Sequence, residues 1–312
     1  MRAFYYIGTA ALAALISFSV TSVTNGQETV SADVFQRSRD LTADSAKSSV
    51  LVFNKKPTYK LKRTVARKTT SVPATKTTSA PAAAETWGNL GVTVWRLTEA
   101  ASKAGETDAN KLIVRERGGA ISEYGSERVE AATRFTLGDK VRLSFETPRT
   151  GYLYVVDREV FKDGSLGEPY LIFPTRASLG GDNKVQAGRV IDIPGQDDAS
   201  PFFTLRSQDP RWKGELLSVI VTTEPIPDVE IPNKPSPISA KLVAAWEDKF
   251  LSDTKEFELD GTAGKAYTQA EKEAGSTGKR QLTQSDPYPQ TMYRVKMRPK
   301  EPMMINLNLL VK

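Results

Sequence analysis

Short hydrophobic runs of the kind that form β-strands recur along the chain after residue 85. Residues 141–146 alternate hydrophobic and polar side chains, the period of a strand with one buried and one solvated face. Residues 151–156 are apolar on both faces, which is typical of a central strand. The other predicted strands are rich in β-branched or aromatic residues and span 91–97, 111–117, 170–174, 190–193, 202–205 and 216–222. Short strands at this spacing predict a mainly β fold, an antiparallel β-sandwich or an open barrel.

One helix is expected within this β pattern. Leu242, Trp246 and Phe250 recur every four residues, which predicts a short helix near 240–251. A Pro-rich connector, residues 224–237, precedes it and cannot enter the middle of a sheet. The helix therefore interrupts the β pattern, which resumes near the C-terminus.

The C-terminal part is expected to contain a loop and a hairpin, within a region 240–312 that includes the helix. Residues 260–290 are polar and rich in Gly and Gln, which predicts a mobile loop. Two runs of alternating hydrophobic and polar residues, 293–298 and 303–311, then end the chain. Residues 298–302 between them contain two prolines and predict a hairpin connection.

The N-terminus has the layout of a secretory signal peptide. Arg2 precedes an apolar run at residues 7–20, and small or turn-forming residues follow up to Gly26. We expect residues 1–26 to be removed after export, which places the chain in the periplasm or outside the cell, with membrane contact only before cleavage. The alternative is an uncleaved anchor, but the run is shorter than the roughly 20 residues that cross a bilayer.

The two segments before the β-rich region, 27–54 and 55–84, differ in charge. Residues 27–54 are expected to be weakly ordered, with one short strand at 49–53. Residues 55–84, the basic segment, contain no acidic residue and carry +8 in a chain of net charge +6, which leaves −2 for all other residues. The basic segment is rich in Thr, Pro, Ala and Lys, which predicts an extended linker leading into a β-rich domain at 85–312.

The basic segment has two interpretations. It is either a solvated tether or an electrostatic contact with an anionic polymer or lipid surface. Nucleic acid is disfavoured because the chain is expected to be exported and the segment has Tyr59 as its only aromatic residue. The candidate contacts to an anionic polymer are Lys55, Lys56, Lys60, Lys62, Arg63, Arg67 and Lys68.

The chain contains neither Cys nor His. This composition excludes a Cys nucleophile, an imidazole base, a Ser-His-Asp triad, the usual zinc sites and disulfides. Carboxylate, Lys or Tyr chemistry and hard-cation binding through oxygen remain possible. We therefore expect no cofactor, no metal and no catalytic residue.

Three motifs are treated as chance matches or ordinary turns. Ser276–Lys279 matches S-x-x-K but lies in a polar stretch without the companion motifs of penicillin-recognising enzymes. Arg280 follows Gly278-Lys279 where a phosphate-binding loop needs Ser or Thr. The acidic residues around 157–164 and 197–198 lack the spacing of a calcium loop, so solvated turns are expected there.

Residues 135–226 resemble a bacterial family of domains of unknown function, DUF4384, and the strand around Trp95 resembles a common lead-in, so that the likeness extends toward Trp87. The resemblance implies a compact β-domain that is often found in secreted proteins or beside signalling and protease-like modules. It implies no reaction and no ligand. The matching stretches are Leu137–Val141, Gly151–Val156, Leu171–Pro174, Ala187–Gly188, Ile193–Pro194, Gly214–Leu217 and Glu224–Ile226.

Together these features predict an exported, non-enzymatic interaction module of the bacterial cell envelope, whose partner is an anionic polymer or an envelope protein. Two alternatives belong to other classes. One is a carboxylate-dependent hydrolase of cell-wall glycans. The other is a structural subunit of a larger assembly that uses the strand edge near Met303–Lys312 to pair with another chain.

Overall fold

The computed structural model describes residues 86–99, 111–115, 121–259, 261–277, 280–283 and 285–312. The predicted signal peptide, the segment 27–54 with its strand at 49–53, and the basic segment lie outside the described residues. In the described part, neither helix is long and apolar enough to cross a membrane.

The described residues form fifteen strands, two α-helices and one 3-10 turn. The strands are β1 (Thr86–Glu99), β2 (Lys111–Arg115), β3 (Ile121–Val129), β4 (Arg134–Phe135), β5 (Lys140–Glu146), β6 (Gly151–Phe161), β7 (Tyr170–Phe173), β8 (Lys184–Val185), β9 (Val190–Ile193), β10 (Phe203–Thr204), β11 (Trp212–Thr222), β12 (Ser236–Pro237), β13 (Thr254–Glu258), β14 (Thr291–Met297) and β15 (Met303–Val311). The helices are α1 (Ala240–Phe250) and α2 (Gln269–Thr277), and the 3-10 turn is Leu179–Gly181.

The strands are divided between two sheets. Sheet A has the order β10-β5-β1-β14-β13; β3 also pairs with β1, β2 pairs with β3, and β9 pairs with β5. Sheet B has the order β12-β7-β6-β11-β15-β4, and β8 also pairs with β6. All pairings are antiparallel except β4 with β15. The prediction of a mainly β, antiparallel sandwich is confirmed.

The main hydrophobic core lies between the two sheets. Leu143 and Phe145 of β5 face Leu153 and Val155 of β6 across it, and all four side chains are buried. The alternation predicted for β5 places its odd-numbered residues in this core. Both faces of β6 are buried, as the apolar run at 151–156 predicted.

Helix α1 covers the outer face of sheet B. Val243 and Trp246 pack on Tyr154, Ile220 and Met304 in a second hydrophobic cluster. This contact confirms the helix predicted near 240–251. It also explains why β6 and β11 are apolar on both faces, since one face meets sheet A and the other meets α1.

The outer face of sheet A is covered as well, which the sequence did not predict. The described residues between 261 and 290, here called the cover segment, lie on this face and contain α2. The prediction of a loop over 260–290 is therefore wrong for 269–277, and the fold has a second helix beside the one predicted. As a result Arg142, Ser144 and Glu146 of β5, whose alternation predicted a solvated face, are buried.

The two C-terminal strands do not form the predicted hairpin. Strand β14 pairs with β1 and β13 in sheet A, whereas β15 pairs with β11 and β4 in sheet B. The turn at 298–302 therefore carries the chain from one sheet to the other. Alternation alone predicts that both strands exist, but it does not distinguish pairing with each other from pairing across two layers.

Candidate functional site

A buried polar network lies between sheet A and the cover segment, centred on Asp192 of β9. Asp192 is 1% exposed. Its Oδ1 accepts a hydrogen bond from the Ser144 hydroxyl at 2.5 Å. Its Oδ2 accepts from the Tyr267 hydroxyl at 2.7 Å and from Gln196 Nε2 at 2.8 Å. Three neutral donors thus hydrogen-bond this carboxylate, which makes it an attachment point for the cover segment.

Arg142 lies in the same layer but takes no part in this network. Its side chain is fully buried, and its Nε, Nη1 and Nη2 have no hydrogen-bond partner among the described residues. The guanidinium carbon lies 4.6 Å from the ring centroid of Tyr267, a cation–π contact. A buried guanidinium without partners is costly, because it has lost its water and has gained only this stacking contact.

An ion pair fastens the cover segment to β3. Arg128, 4% exposed on β3, pairs with Glu271 at the start of α2. The Arg128 guanidinium also lies 5.1 Å from the ring centroid of Trp95. Backbone hydrogen bonds continue the attachment, from Tyr267 N to Ser126 O and from Gly264 N to Arg128 O, both at 2.9 Å. The cover segment is thus held to sheet A mainly by polar contacts.

A cavity of about 30 Å³ lies in this layer. It has room for one or two water molecules and for nothing larger, so the layer admits no organic ligand unless the cover segment moves. The polar residues that line it include Trp95, Arg128, Ser144, Glu146, Asp192, Tyr267, Glu271 and Asp286.

The network has the character of a binding or structural element more than that of a catalytic one. The Ser144 hydroxyl donates to Asp192 and accepts from Trp95 Nε1 at 2.8 Å. Burial, and then the charge of Asp192, raises the pKa of Tyr267 well above its usual range, so its hydroxyl stays protonated. A nucleophile must reach its substrate, and the hydroxyls of Ser144 and Tyr267 are both buried.

Gly275 sets the distance between α2 and the network. A Cβ at this position would lie 2.2 Å from Asp192 Oδ2. We expect Gly275→Ala to push α2 away from β9 and to destabilise the fold by about 2 kcal/mol, since Asp192 is held by three hydrogen bonds and cannot move aside. The midpoint of urea unfolding measures this effect. Gln269→Ala, on the exposed side of the same helix, is the matched control and should change the midpoint little.

A carboxyl pair, in which Glu215 is buried and Asp157 half-buried, lies at one end of the inter-sheet core. Asp157 Oδ1 of β6 and Glu215 Oε2 of β11 have no donor partner among the described residues, and two neighbouring carboxyl groups in this setting favour a proton on one of them. Burial, followed by the nearby carboxylates, raises the pKa of Glu215 to about 9, and mainly burial raises that of Asp157 to about 7. Trp212 Nε1 donates to Glu215 Oε1 at 3.1 Å. The pair therefore holds a proton at neutral pH.

A basic surface lies where the chain enters β1. Trp87 is 46% exposed, and the guanidinium of Arg294 lies 5.2 Å from its ring centroid. Strand register places Lys255 opposite Arg294 and Lys296 opposite Trp87, so these side chains share the outer face of sheet A. We call Trp87, Lys255, Arg294 and Lys296 the basic edge. Trp87 lies close after the basic segment in the sequence, since residue 84 ends that segment.

Most acidic turns are as the sequence predicted. Asp163 accepts hydrogen bonds from the backbone and hydroxyl of Ser165, and Asp198 accepts from the backbone of Leu179 and Gly195. Within the described ranges, no group of three or more acidic residues is arranged to hold a metal ion. Asp157 differs from the prediction of a turn acid, because it lies within β6 beside Glu215.

Only the first part of the S-x-x-K match, which runs from Ser276 to Lys279, lies within the described residues. Ser276 lies in the last turn of α2, where its hydroxyl donates to the carbonyl of Glu273 at 3.3 Å. Gly278 and Lys279 lie outside the described residues. The predicted polymer contacts, Lys55 to Lys68, also lie outside them.

The family model of a domain of unknown function (DUF4384) matches residues 134–225, which confirms the resemblance seen in the sequence. The matched stretch runs from β4 to just beyond β11 and supplies Arg142, Asp192, Asp157 and Glu215. The basic edge and the cover segment lie outside it. No curated protein and no solved structure matches the chain.

Proposed function

We propose that the chain is an exported, non-enzymatic interaction module of the bacterial cell envelope that binds an anionic polymer. The basic segment and the basic edge are its contact surface. The observation that carries this proposal is the stack of Arg294 on the exposed Trp87, at the point where the basic segment joins the β-domain.

The basic edge suits a polymer of phosphate or carboxylate groups. Stacking on Trp87 fixes the orientation of the Arg294 guanidinium through its face and leaves its N–H groups available to hydrogen-bond an oxyanion. Lys255 is exposed on the adjacent strand and adds a second cation on the same face. A rigid site of this kind fixes one contact, and the basic segment adds further contacts along the same polymer.

The charge distribution favours local attraction over attraction by the whole molecule. The basic segment carries +8, whereas the remaining residues sum to −2. A polyanion is therefore attracted to one end of the molecule, and salt should weaken this attraction strongly because exposed charges are screened within about 10 Å at 0.1 M ionic strength.

Neutralising the basic edge tests this proposal. We expect the double variant Lys255→Gln, Arg294→Gln to bind purified cell-wall sacculi about fivefold more weakly at low salt, since two of the folded contacts are lost. The matched control, Lys213→Gln with Lys241→Gln, removes two exposed lysines elsewhere and should bind like the unaltered chain. Equal weakening by both pairs would show that only total charge matters and would remove the basic edge from the proposal.

A carboxyl-dependent glycan hydrolase is the second candidate, and the Asp157–Glu215 pair is the observation in its favour. A carboxyl group that keeps its proton at neutral pH is what a general acid requires, and a neighbouring carboxylate is its usual companion. Incubation with a panel of cell-wall glycans tests it. Turnover that disappears in Glu215→Gln would establish the hydrolase, and no turnover on any glycan would end this candidate.

The structural-subunit hypothesis requires another chain to pair with β15, and neighbouring residues limit where this can happen. Its outer edge is closed at one end by Ser252, whose backbone N–H donates to Met304 O at 3.0 Å. At the other end β4 pairs with Leu310 and Val311. Pairing with another chain is therefore confined to the short stretch between these two closures. Light scattering of the chain with and without envelope extract tests whether that stretch recruits a partner.

A further inference from the structure

We propose that Arg142 is the anchor of a second binding site, for a small oxyanion, which opens when Tyr267 and the cover segment move away from sheet A. The ligand class is a carboxylate or a phosphate group. The observation behind this proposal is a fully buried guanidinium whose three nitrogens have no hydrogen-bond partner among the described residues.

Among the described residues, no carboxylate pairs with Arg142. Asp192 and Glu146 are both buried in this layer, but the Asp192 oxygens accept from Ser144, Tyr267 and Gln196, and the Arg142 guanidinium has no hydrogen-bond partner. The ring of Tyr267 covers the guanidinium instead. Five N–H donors are thus desolvated without acceptors, so the closed state is penalised relative to one in which an oxyanion pairs with them.

Tyr267 is the part that must move. It contacts Arg142 through its ring and Asp192 through its hydroxyl, and its ring also packs edge-on against Trp95 at a centroid distance of 4.7 Å. The cover segment is held to sheet A by hydrogen bonds and the Arg128–Glu271 pair, which water can replace when it lifts, and by the packing of Tyr267 on Trp95, which lifting breaks. Lifting exposes the guanidinium fork on a rigid strand.

The surroundings of Arg142 define what would bind there. Lys140 lies two residues earlier on the same face of β5, with its Nζ 5.0 Å from the ring centroid of Tyr124. Two cations spaced along one strand suit a single oxyanion, and a planar guanidinium pairs with carboxylate or phosphate through two parallel hydrogen bonds. Trp95, Tyr124 and Phe202 form a hydrophobic cluster beside them. The site therefore favours a small, flat or compact anion over a polymer.

This inference does not depend on the proposed function. The Arg142 site lies under the cover segment, in the layer where β5, β9 and β1 pair, whereas the basic edge lies on β14, β13 and the start of β1. Loss of polymer binding would leave the Arg142 site intact, and the reverse also holds.

Thermal unfolding in added anions tests the inference. The chain without residues 1–26 is heated in sodium phosphate or sodium acetate, each compared with sodium chloride at equal ionic strength. We expect at least one of the two anions to raise Tm by about 5 °C near saturation. A response to acetate alone would identify carboxylate ligands, a response to phosphate alone would identify phosphate ligands, and a response to both would identify a general oxyanion site.

The variants separate Arg142 from nonspecific ion effects. Arg142→Met should raise Tm in chloride, because it removes an unpaired buried charge, and should abolish the anion-dependent shift. Arg142→Lys keeps the charge but loses the planar guanidinium, so the anion-dependent rise in its Tm should be smaller than in the unaltered chain. If Arg142→Met does not fold, this comparison alone tests the proposal. Arg206→Met, at an exposed position, should respond like the unaltered chain. An unaltered chain that ignores both anions, or a shift that persists in both Arg142 variants, would overturn the inference.

Discussion

Glu215→Gln is expected to stabilise the fold by about 3 kcal/mol at about pH 9 and to have little effect at about pH 4. Glu215 and Asp157 have pKa values raised to about 9 and about 7, so the folded chain holds protons that the unfolded chain releases. In that range the unfolded state binds fewer protons than the folded state, and stability therefore falls as pH rises from about 4 to about 9. This is the reverse of the usual behaviour of a carboxylate in an ion pair.

The variant removes the part of this dependence that comes from Glu215, because a Gln amide does not titrate and donates to Asp157 at any pH. The part that comes from Asp157, whose pKa is raised mainly by burial, remains. Urea unfolding at several pH values between about 4 and 9 measures the effect. Glu224→Gln, at an exposed position, is the control and should leave the pH profile unchanged. A Glu215→Gln profile as steep as that of the unaltered chain would contradict the shared proton.

Asp192→Ala is expected to destabilise the fold by about 3 kcal/mol. The substitution removes the acceptor shared by the Ser144 hydroxyl, the Tyr267 hydroxyl and Gln196 Nε2. The Tyr267 hydroxyl can still donate to Glu271 O and Gln196 Nε2 to Lys272 O, so the main cost, about 1–3 kcal/mol, comes from the Ser144 hydroxyl left without an acceptor. It also detaches the cover segment from β9, since Tyr267 is bonded there.

The free energy of unfolding in urea measures this loss, and hydrogen exchange shows where it falls. Amides of the cover segment should exchange faster than those of sheet B, because the broken contacts lie on the outer face of sheet A. Asp197→Ala, five residues along the chain and exposed, is the control. A loss below about 1 kcal/mol would mean that water satisfies the three donors and that the network does not hold the cover segment.

The sequence predicts where the strands of this fold lie better than it predicts which of their faces are buried. The alternation in β5 correctly placed Leu143 and Phe145 in the core, but it also placed Arg142 in solvent. That error arises because the cover segment, more than a hundred residues later, folds onto the second face. Periodicity reports which residues share a face, and it does not report what a distant part of the chain lays over that face.

The helix α2 was missed although a local signal was present. Thr268 and Glu271 form a capping box, in which the Thr268 hydroxyl accepts from Glu271 N at 3.3 Å and the Glu271 carboxylate accepts from Thr268 N at 2.8 Å. The polar composition of residues 260–290 predicted a loop although this motif is present in the sequence. Helix α2 has few buried side chains of its own, so an amphipathic pattern was not available to indicate it.

The sequence also contains an indication of the carboxyl pair. Asp157 continues the inward phase of Leu153 and Val155 on β6, and Glu215 precedes Leu217 in the same phase on β11. An acidic residue at a core position of an alternating strand indicates a carboxyl group that is buried or paired. The pattern along each strand does not show that Asp157 and Glu215 are neighbours, because strand register is set by the whole sheet.

Co-sedimentation with purified cell-wall sacculi across a salt series tests the central claim most directly, using residues 27–312 and residues 85–312 in parallel. The account predicts that the longer chain binds at low salt, that added salt releases it, and that the shorter chain retains weak binding through the basic edge. If neither chain binds sacculi at low salt, or if binding is equally strong in both and resists salt, an anionic polymer held by the basic segment and basic edge is contradicted.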